Sequence, residues 1–352
     1  MLNFALIGCG RIALRHSELL GLNQINGAKL IAVCDIIYEK ALKIANKFDI
    51  PAYRDMNEMI NNEKIDVIVI LTPSGLHANH VIELAKYGKD ILVEKPMALT
   101  LEDTDLMIDA CKNFNCRLFV VKQNRFNIPV LKLHQAIISN RLGNLVLGTV
   151  RVRWSRRQDY YNQDSWRGTW AMDGGVLSNQ ASHHIDLLLW VMGDVKSVFA
   201  YSNTALVDIE AEDTAVVIIK FKNGALGIIE ATTATRPCDL EGSISILGEK
   251  GNVVIGGYAV NKMQSWAFEN LEEEDGSIIE KYSENPPNVY GFGHKAYYNH
   301  VVNCISNGHP NIVDGIQGRK SVELINAIYE SIETGKEIYI PFKPSKSKLG
   351  KN

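Results

Sequence analysis

The chain has no large excess of either charge. It carries 37 basic and 40 acidic side chains and a formal net charge of −3, which gives no electrostatic footprint for nucleic acid or an anionic membrane surface. It also lacks any apolar stretch of the roughly 20 residues that a bilayer span requires. Runs such as "VIVIL" at 67–71 stop far short of that. Cysteine is sparse: Cys9, Cys34, Cys111, Cys116, Cys238 and Cys304 form no CxxC pair and no zinc-ligand spacing. Reduced, mostly buried thiols are expected, not a disulfide framework. No internal repeat and no low-complexity linker interrupts the sequence. It opens on "NFALIG" without a basic n-region or signal-peptide core. The expectation is a cytoplasmic protein with no membrane or nucleic-acid partner.

What is present is an ordinary globular composition, 46% hydrophobic and 22% charged, over 352 residues. That length is more than one core usually organises, so two domains are expected. The first third alternates strands and helices. "FALIGCG", "KLIAVCD", "DVIVILTP", "DILVEKP" and "RLFVVKQN" are strands, separated by helical segments such as "YEKALKIANKFD" and "HANHVIELAKYG". This pattern implies βαβ units and an α/β fold with a doubly wound parallel sheet, a Rossmann domain over residues 1–122. After residue 123 the pattern changes. Longer strands of period two appear, including "LVLGTVRVRW" and "DTAVVIIKFKNGALGIIEATT", the latter with an Asn-Gly hairpin signal at Asn223-Gly224. Residues 123–352 are expected to form an α/β domain with a large, mostly antiparallel open-faced sheet for substrate binding and oligomerisation.

"GCGRIA" places Gly8, Gly10 and Ala13 in a GxGxxA pattern between a strand and a helical segment, and a second strand ends at Asp35. That context turns a weak motif into a dinucleotide fingerprint. The glycines let the backbone approach the pyrophosphate at a helix N-terminus, and Asp35 accepts from the adenosine ribose. With no arginine after Asp35, the cofactor is expected to be NAD, not NADP. Arg11 is either a phosphate contact or a solvated helix residue, and Ile12 lies on the same loop. Other strand-end loops are "TPSGLH", with Thr72, Pro73 and His77, and "EKP", with Glu94 and Lys95. Ligands bind at such ends in open α/β sheets. His77 either begins its helix or reaches the cofactor.

"NQASHHID" at 179–186 contains adjacent histidines before an apolar helical run. Residues four apart share a helix face, so Asn179 and His183 pair, while His184 points about 100° away. Two adjacent histidines on a regular helix cannot serve one metal, and no further ligands stand at suitable spacing, so no metal is expected. His184 is expected to be structural.

Together "GCGRIA", "TPSGLH", "VEKPMALT", "KQNRF" and "GGVLSNQASHHID" resemble the glucose–fructose oxidoreductase / inositol dehydrogenase (Gfo/Idh/MocA) family over nearly the whole chain. The resemblance implies an NAD-dependent sugar dehydrogenase acting on a CH–OH group, with Lys95 and His183 catalytic. By the family's spacing of aspartate, histidine and aspartate, Asn179, His183 and Asp186 take those positions, and Asn179 departs from the pattern. "YYNQDSWRGTWAMDGG" and "PPNVYGFGHKAYYNHV" look closer to a branch that oxidises C3 of UDP-N-acetylglucosaminuronate for surface polysaccharide (O-antigen) sugars. This implies a UDP-sugar substrate, 2-oxoglutarate as a recycling oxidant and a homotetramer.

The substrate residues so implied are Lys95, Gln123, Arg153, Asn179, His183, His294 and Tyr298. Trp166 and Arg167 serve either cofactor or substrate. Arg151, Arg153, Arg156, Arg157 and Arg167 stand among Tyr160, Tyr161, Trp166 and Trp170, where arginine forks suit a uronate carboxylate or a diphosphate and aromatic faces suit sugar and uracil rings. Arg151 is equally explained as decoration of a strand's solvent face. Two other functions fit the same residues: a dehydrogenase of a free polyol or simple sugar, and a non-catalytic NAD-binding regulator.

Overall fold

Short apolar segments of the first third form six parallel strands: β1 (Leu2–Ile7), β2 (Ala28–Cys34), β3 (Ala52–Tyr53), β4 (Val67–Ile70), β5 (Asp90–Val93) and β6 (Leu118–Val120). Their order is β3-β2-β1-β4-β5-β6, the doubly wound arrangement of a Rossmann sheet. The helices α1 (Ala13–Gly21), α2 (Tyr38–Phe48), α3 (Met56–Asn62), α4 (His77–Ala85) and α5 (Leu101–Asn113) alternate with them. All four residues of β4, Val-Ile-Val-Ile, are fully buried, because helices cover both faces of a parallel sheet. Each such side chain contributes roughly 1.5–3 kcal/mol by leaving water. In register, Ile7 lies opposite Cys34 and Ile70, and Ile70 opposite Val93. The residues after these strands therefore emerge together at one sheet edge.

The period-two segments form an eight-stranded sheet. Its strands are β7 (Leu145–Arg153), β8 (Val195–Asn203), β9 (Thr214–Phe221), β10 (Leu226–Thr232), β11 (Glu241–Gly248), β12 (Gly251–Gly256), β13 (Lys262–Phe268) and β14 (Ile338–Tyr339). The order is β13-β12-β11-β7-β10-β9-β8-β14, and every pairing is antiparallel except β7 with β10. Helices α6 (Ile128–Ile138), α7 (Gln158–Tyr161), α8 (Ser182–Met192), α9 (Asp275–Lys281), α10 (Gly293–Asn307) and α11 (Gly315–Thr334) complete the chain. Helix α8 packs on β7 and β11, and Val150, Val152, Ile244 and Ile246 are fully buried. The alternate residues leave the other face open, with Tyr201, Val216, Ile218 and Leu226 about half or more exposed. The Asn-Gly signal forms the β9–β10 hairpin: Gly224 has φ +92°, and Asn223 Oδ1 accepts the Ala225 N–H.

This computed structural model describes residues 1–284 and 291–351. The chain divides into two compact units, Met1–Val121 with Lys295–Val322, and Lys122–His294 with Glu323–Asn352. Residues 295–322 group with the Rossmann sheet because Val120 N–H donates to Val313 O at 2.8 Å, Phe119 bridges to Asp314, and Arg319 pairs with Asp105. Among the described residues no disulfide is present and five of the six cysteines are buried, Cys238 alone being exposed. No helix among them is long and apolar enough to cross a membrane.

Candidate active site

In the first unit the sheet edge gathers the "GCGRIA", "TPSGLH" and "EKP" loops. Gly8 has φ +94°, and a Cβ there would meet the Leu71 carbonyl at 2.8 Å, so only glycine fits beside the end of β4. A Cβ on Gly10 would meet nothing within 4 Å, which leaves the backbone open to a ligand. Helix α1 starts without a side-chain cap, whereas Asp55 caps α3 and Thr100 caps α5. Ala13 N–H and Arg15 N–H turn back onto Gly10 O and Ile12 O at 3.2 and 3.0 Å, and the N-terminus of α1 presents the positive end of its dipole to an anion. Asp35 is held rigidly, Oδ2 accepting from Cys9 N–H at 2.7 Å and Oδ1 from Ile37 N–H at 2.8 Å. Each oxygen keeps a second lone pair for a ribose hydroxyl. Arg11 is exposed and Ile12 partly so. This edge fits a dinucleotide.

His77 is 1% exposed, and its two nitrogens face Thr72 O at 2.9 Å and Pro96 O at 2.8 Å. Burial holds its pKa below the ordinary value, opposed by those carbonyls. Its ring ties the Thr72-Pro73 loop to the "EKP" loop, so His77 acts on the edge through these loops. Thr72 Oγ1 faces His80 Nδ1 at 2.9 Å.

Lys95 is partly exposed at the end of β5. Behind it stands a buried chain of three residues from distant parts of the sequence. Glu94 Oε2 accepts the Lys95 N–H at 2.9 Å, and Glu94 Oε1 lies 3.0 Å from His16 Nε2. His16 Nδ1 in turn lies 2.6 Å from the Tyr298 hydroxyl. Burial, with Glu94 adding to it, raises the Tyr298 pKa well above its ordinary value, so the phenol keeps its proton. Tyr298, expected to line the substrate pocket, is instead fully buried against Phe4 and His16. That is a correction: its hydroxyl is committed inside the first unit.

In the second unit His183 and Asn179 are the partly exposed residues of an otherwise buried stretch from Asp173 to Leu188. Gln123 Nε2 lies 2.9 Å from His183 Nε2. An amide nitrogen can only donate, so His183 Nε2 is the acceptor and the neutral ring carries its proton on Nδ1. His184 turns elsewhere. It is 1% exposed, stands edge-on to Trp154 at 5.7 Å, and burial pushes its pKa down to about 3. It stays neutral, in its structural role. One turn after His183, Asp186 is 2% exposed and meets Lys122 at 2.5 Å and Arg125 Nε at 2.7 Å. Burial raises its pKa, but Arg125 and Lys122 together outweigh burial and hold the carboxyl far below the usual range. Burial lowers Lys122 to about 8, against the pull of Asp186. This triad fixes the turn that presents Gln123.

Arg153 departs from expectation. Its guanidinium donates to Glu230 at 2.6 and 2.8 Å and to Glu241 at 3.1 Å, on the open face of the large sheet. Its fork is held by those carboxylates, and Arg151 shares the same two partners. Arg167 pairs with Asp164 at 3.0 Å and lies between the rings of Tyr160 and Trp166, 4.7 Å from each. It lines an open cleft of about 540 Å³ with Gln158, Asn162, Thr169 and Asp208. His294 is fully buried at the first turn of α10. The preceding "NVY" lies outside the described residues.

Two family models match the chain in tandem, an oxidoreductase family NAD-binding Rossmann fold over residues 2–122 and the same family's C-terminal alpha/beta domain over 134–341. The chain belongs to the GFO/IDH/MocA oxidoreductase family. It is an NAD-dependent oxidoreductase, and the Rossmann edge described above is the part its NAD-binding model covers. Within the family it is similar to the WlbA dehydrogenase of Bordetella pertussis, solved with NADH and UDP-GlcNAcA, at 39% identity and TM-score 0.89 over 97% of this chain and 99% of that one. The WlbA dehydrogenase of Chromobacterium violaceum, solved with the same two ligands, shows 40% identity and TM-score 0.90 over 97% and 96%. The Myo-inositol 2-dehydrogenase of Thermotoga maritima is 27% identical over 346 residues, 96% of this chain and 98% of that protein.

Several residues that shape this GFO/IDH/MocA site escaped the sequence reading: His16, Lys122, Arg125, Asp173 and Glu212. Lys122 and Arg125 carried a signal, being charges placed directly after the apolar "LFVV", where burial demands a counter-ion. His16 and Glu212 carried none.

Proposed function

We propose that this chain oxidises the C3 hydroxyl of UDP-N-acetylglucosaminuronate to the 3-keto sugar, a step in making surface-polysaccharide sugars. The observation that carries this reading is near full-length similarity at 39–40% identity to two structures holding NADH and UDP-GlcNAcA, against 27% for the inositol enzyme. Bound NAD supplies the hydride acceptor at carbon. The chain's own residues do the rest. Gly8, Gly10 and Asp35 hold the dinucleotide, with Arg11, Ile12, Thr72, Pro73 and Glu94 along the same edge. Trp166 and Arg167 offer an aromatic and a cationic face to cofactor or substrate.

Alcohol oxidation requires a group to take the hydroxyl proton and a positive or donor group to stabilise the developing alkoxide. We assign the proton to His183 and the polarising role to Lys95, with Asn179 and Gln123 orienting the sugar. One observation favours the reverse assignment: Gln123 already donates into His183 Nε2, so that lone pair must be released before it can accept. We further assign the open face of the large sheet to self-association into a homotetramer. Its half-exposed Tyr201, Val216 and Ile218 flank the Arg151–Glu230–Arg153–Glu241 lattice. The reduced, mostly buried thiols suit the cytoplasm.

The test supplies NAD with UDP-N-acetylglucosaminuronate, UDP-N-acetylglucosamine or myo-inositol, with 2-oxoglutarate to recycle NADH. Selective turnover of the uronate is expected. Equal turnover of both UDP-sugars would remove the need for a carboxylate contact, and oxidation of inositol alone would move the protein to the polyol dehydrogenases.

A further inference from the structure

Behind Asn179 sits Asp173, 1% exposed. Its Oδ1 accepts from Asn179 Nδ2 at 2.5 Å and its Oδ2 accepts the Gly168 N–H at 2.9 Å. The Asn179 backbone is equally fixed, its N–H donating to Gly175 O at 3.0 Å and its carbonyl accepting the Ser182 hydroxyl at 3.0 Å. A primary amide carries its donor and its acceptor on opposite branches. Committing Nδ2 to Asp173 therefore sends Oδ1 the other way.

The neighbourhood is already acidic. Glu212, 2% exposed, accepts the Leu177 N–H at 2.9 Å and the Tyr329 hydroxyl at 3.0 Å, and Asp173 is among the charges acting on it. A carboxylate at position 179 would be a third acid in this neighbourhood, at hydrogen-bond distance from Asp173. Like charges so close cannot both stay ionised. An amide at 179 avoids that conflict.

We propose that Asp173 is a positioning residue for sugar oxidation, locking the Asn179 amide so that this turn presents an uncharged acceptor at position 179, which like His183 is partly exposed. The anion is kept one side chain back, where the Gly168 N–H and the Asn179 amide stabilise it. The inference rests on the reading that Asn179 and His183 face the sugar. It adds the residue that sets their polarity.

Three variants test it: Asp173→Asn, Asn179→Asp, and the exchange D173N/N179D. In the exchange, the amide at 173 still accepts from Gly168 and donates to the carboxylate at 179, so the hydrogen-bond pattern survives. The exposed acceptor becomes anionic. Each protein is measured for NADH binding, for kcat and KM with the uronate, and for the NMR titration of His183, assigned by its loss in His183→Ala. Asp173→Asn is expected to lower kcat about tenfold with NADH binding unchanged, the scale of one charge-assisted hydrogen bond. The exchange is expected to recover kcat to within a few-fold of wild type and to titrate His183 at higher pH, because a carboxylate beside an imidazole favours its charged form.

Full activity in Asp173→Asn would overturn the proposal. So would an exchanged pair that binds NADH yet is no better than its single variants, or one whose His183 titration does not move. A wild type that oxidises no UDP-sugar defeats the proposed function instead, and the His183 titrations still decide the role of Asp173.

Discussion

Tyr298 and His16 stand 282 positions apart in sequence, yet the Tyr298 hydroxyl meets His16 Nδ1 at 2.6 Å with both side chains fully buried. The pair turns His16 Nε2 onto Glu94, which receives the Lys95 N–H. Tyr298→Phe removes the hydroxyl that meets the buried His16 Nδ1, and the lost hydrogen bond costs about 1–3 kcal/mol. A lower urea midpoint with NADH binding preserved is expected. An unchanged midpoint would show that the hydrogen bond contributes nothing net.

Lys95→Ala and His183→Ala should each bind NADH nearly as wild type, since neither replaces the glycine loop or Asp35. Turnover should fall by about 10² to 10⁴, the range for a general base or a polarising group. Fluorescence titration of NADH beside steady-state rates separates the two effects. A variant with near-normal kcat leaves the mechanism.

Gln123 distinguishes which of the two takes the proton. Its donation into His183 Nε2 stabilises the neutral ring, so Gln123→Ala should raise the pKa of His183. If His183 is the base, it must be neutral to act, and the acidic limb of kcat/KM moves to higher pH in the variant. If Lys95 is the base, that limb stays where it was.

Glu212 makes stability depend on pH. Burial, with Asp173 adding to it, raises its carboxyl from 4.5 to about 7, against the Leu177 N–H and Tyr329 hydroxyl bonds. A raised acid is protonated in the folded state where the unfolded chain has already ionised. Its favourable contribution is therefore complete below the unfolded pKa of 4.5 and is lost as pH rises through about 7. The loss is on the order of 3 kcal/mol. Glu212→Gln should flatten the difference between urea midpoints at pH 5 and pH 8. An equal fall in both proteins would assign the pH dependence to other groups.

Cofactor choice should follow Asp35, whose carboxylate meets the adenosine ribose and repels a 2′-phosphate. The residues that follow, Ile36 and Ile37, are exposed at 86% and 47% and offer no cation. KM for NADP is expected to exceed that for NAD at least tenfold, the equivalent of about 1.4 kcal/mol. Comparable values would sink this assignment.

The parts of this molecule legible in its sequence are those set by local chemistry. "VIVI" announces a covered parallel strand, Asn223-Gly224 its hairpin, and helical geometry the split between partly exposed His183 and buried His184. What could not be read depends on partners far along the chain. Arg153 looks like a substrate fork until Glu230 and Glu241 arrive on β10 and β11. Tyr298 lies beside His294 in sequence, yet its neighbours are Phe4 and His16. Nothing near Glu212 hints that Leu177 and Tyr329 will enclose it. Long-range ion pairs and buried hydrogen bonds leave no periodic trace.

The return of Lys295–Val322 to the Rossmann sheet also bears on how such a protein could exchange parts. A gene fusion joined once, at codon 122, would give a nucleotide-binding half without the segment whose Val313 pairs beside its last strand and whose Tyr298 meets His16. Exchange of the second unit alone requires three junctions, near residues 122, 294 and 322. In the chain the two units alternate, each built from two separate segments.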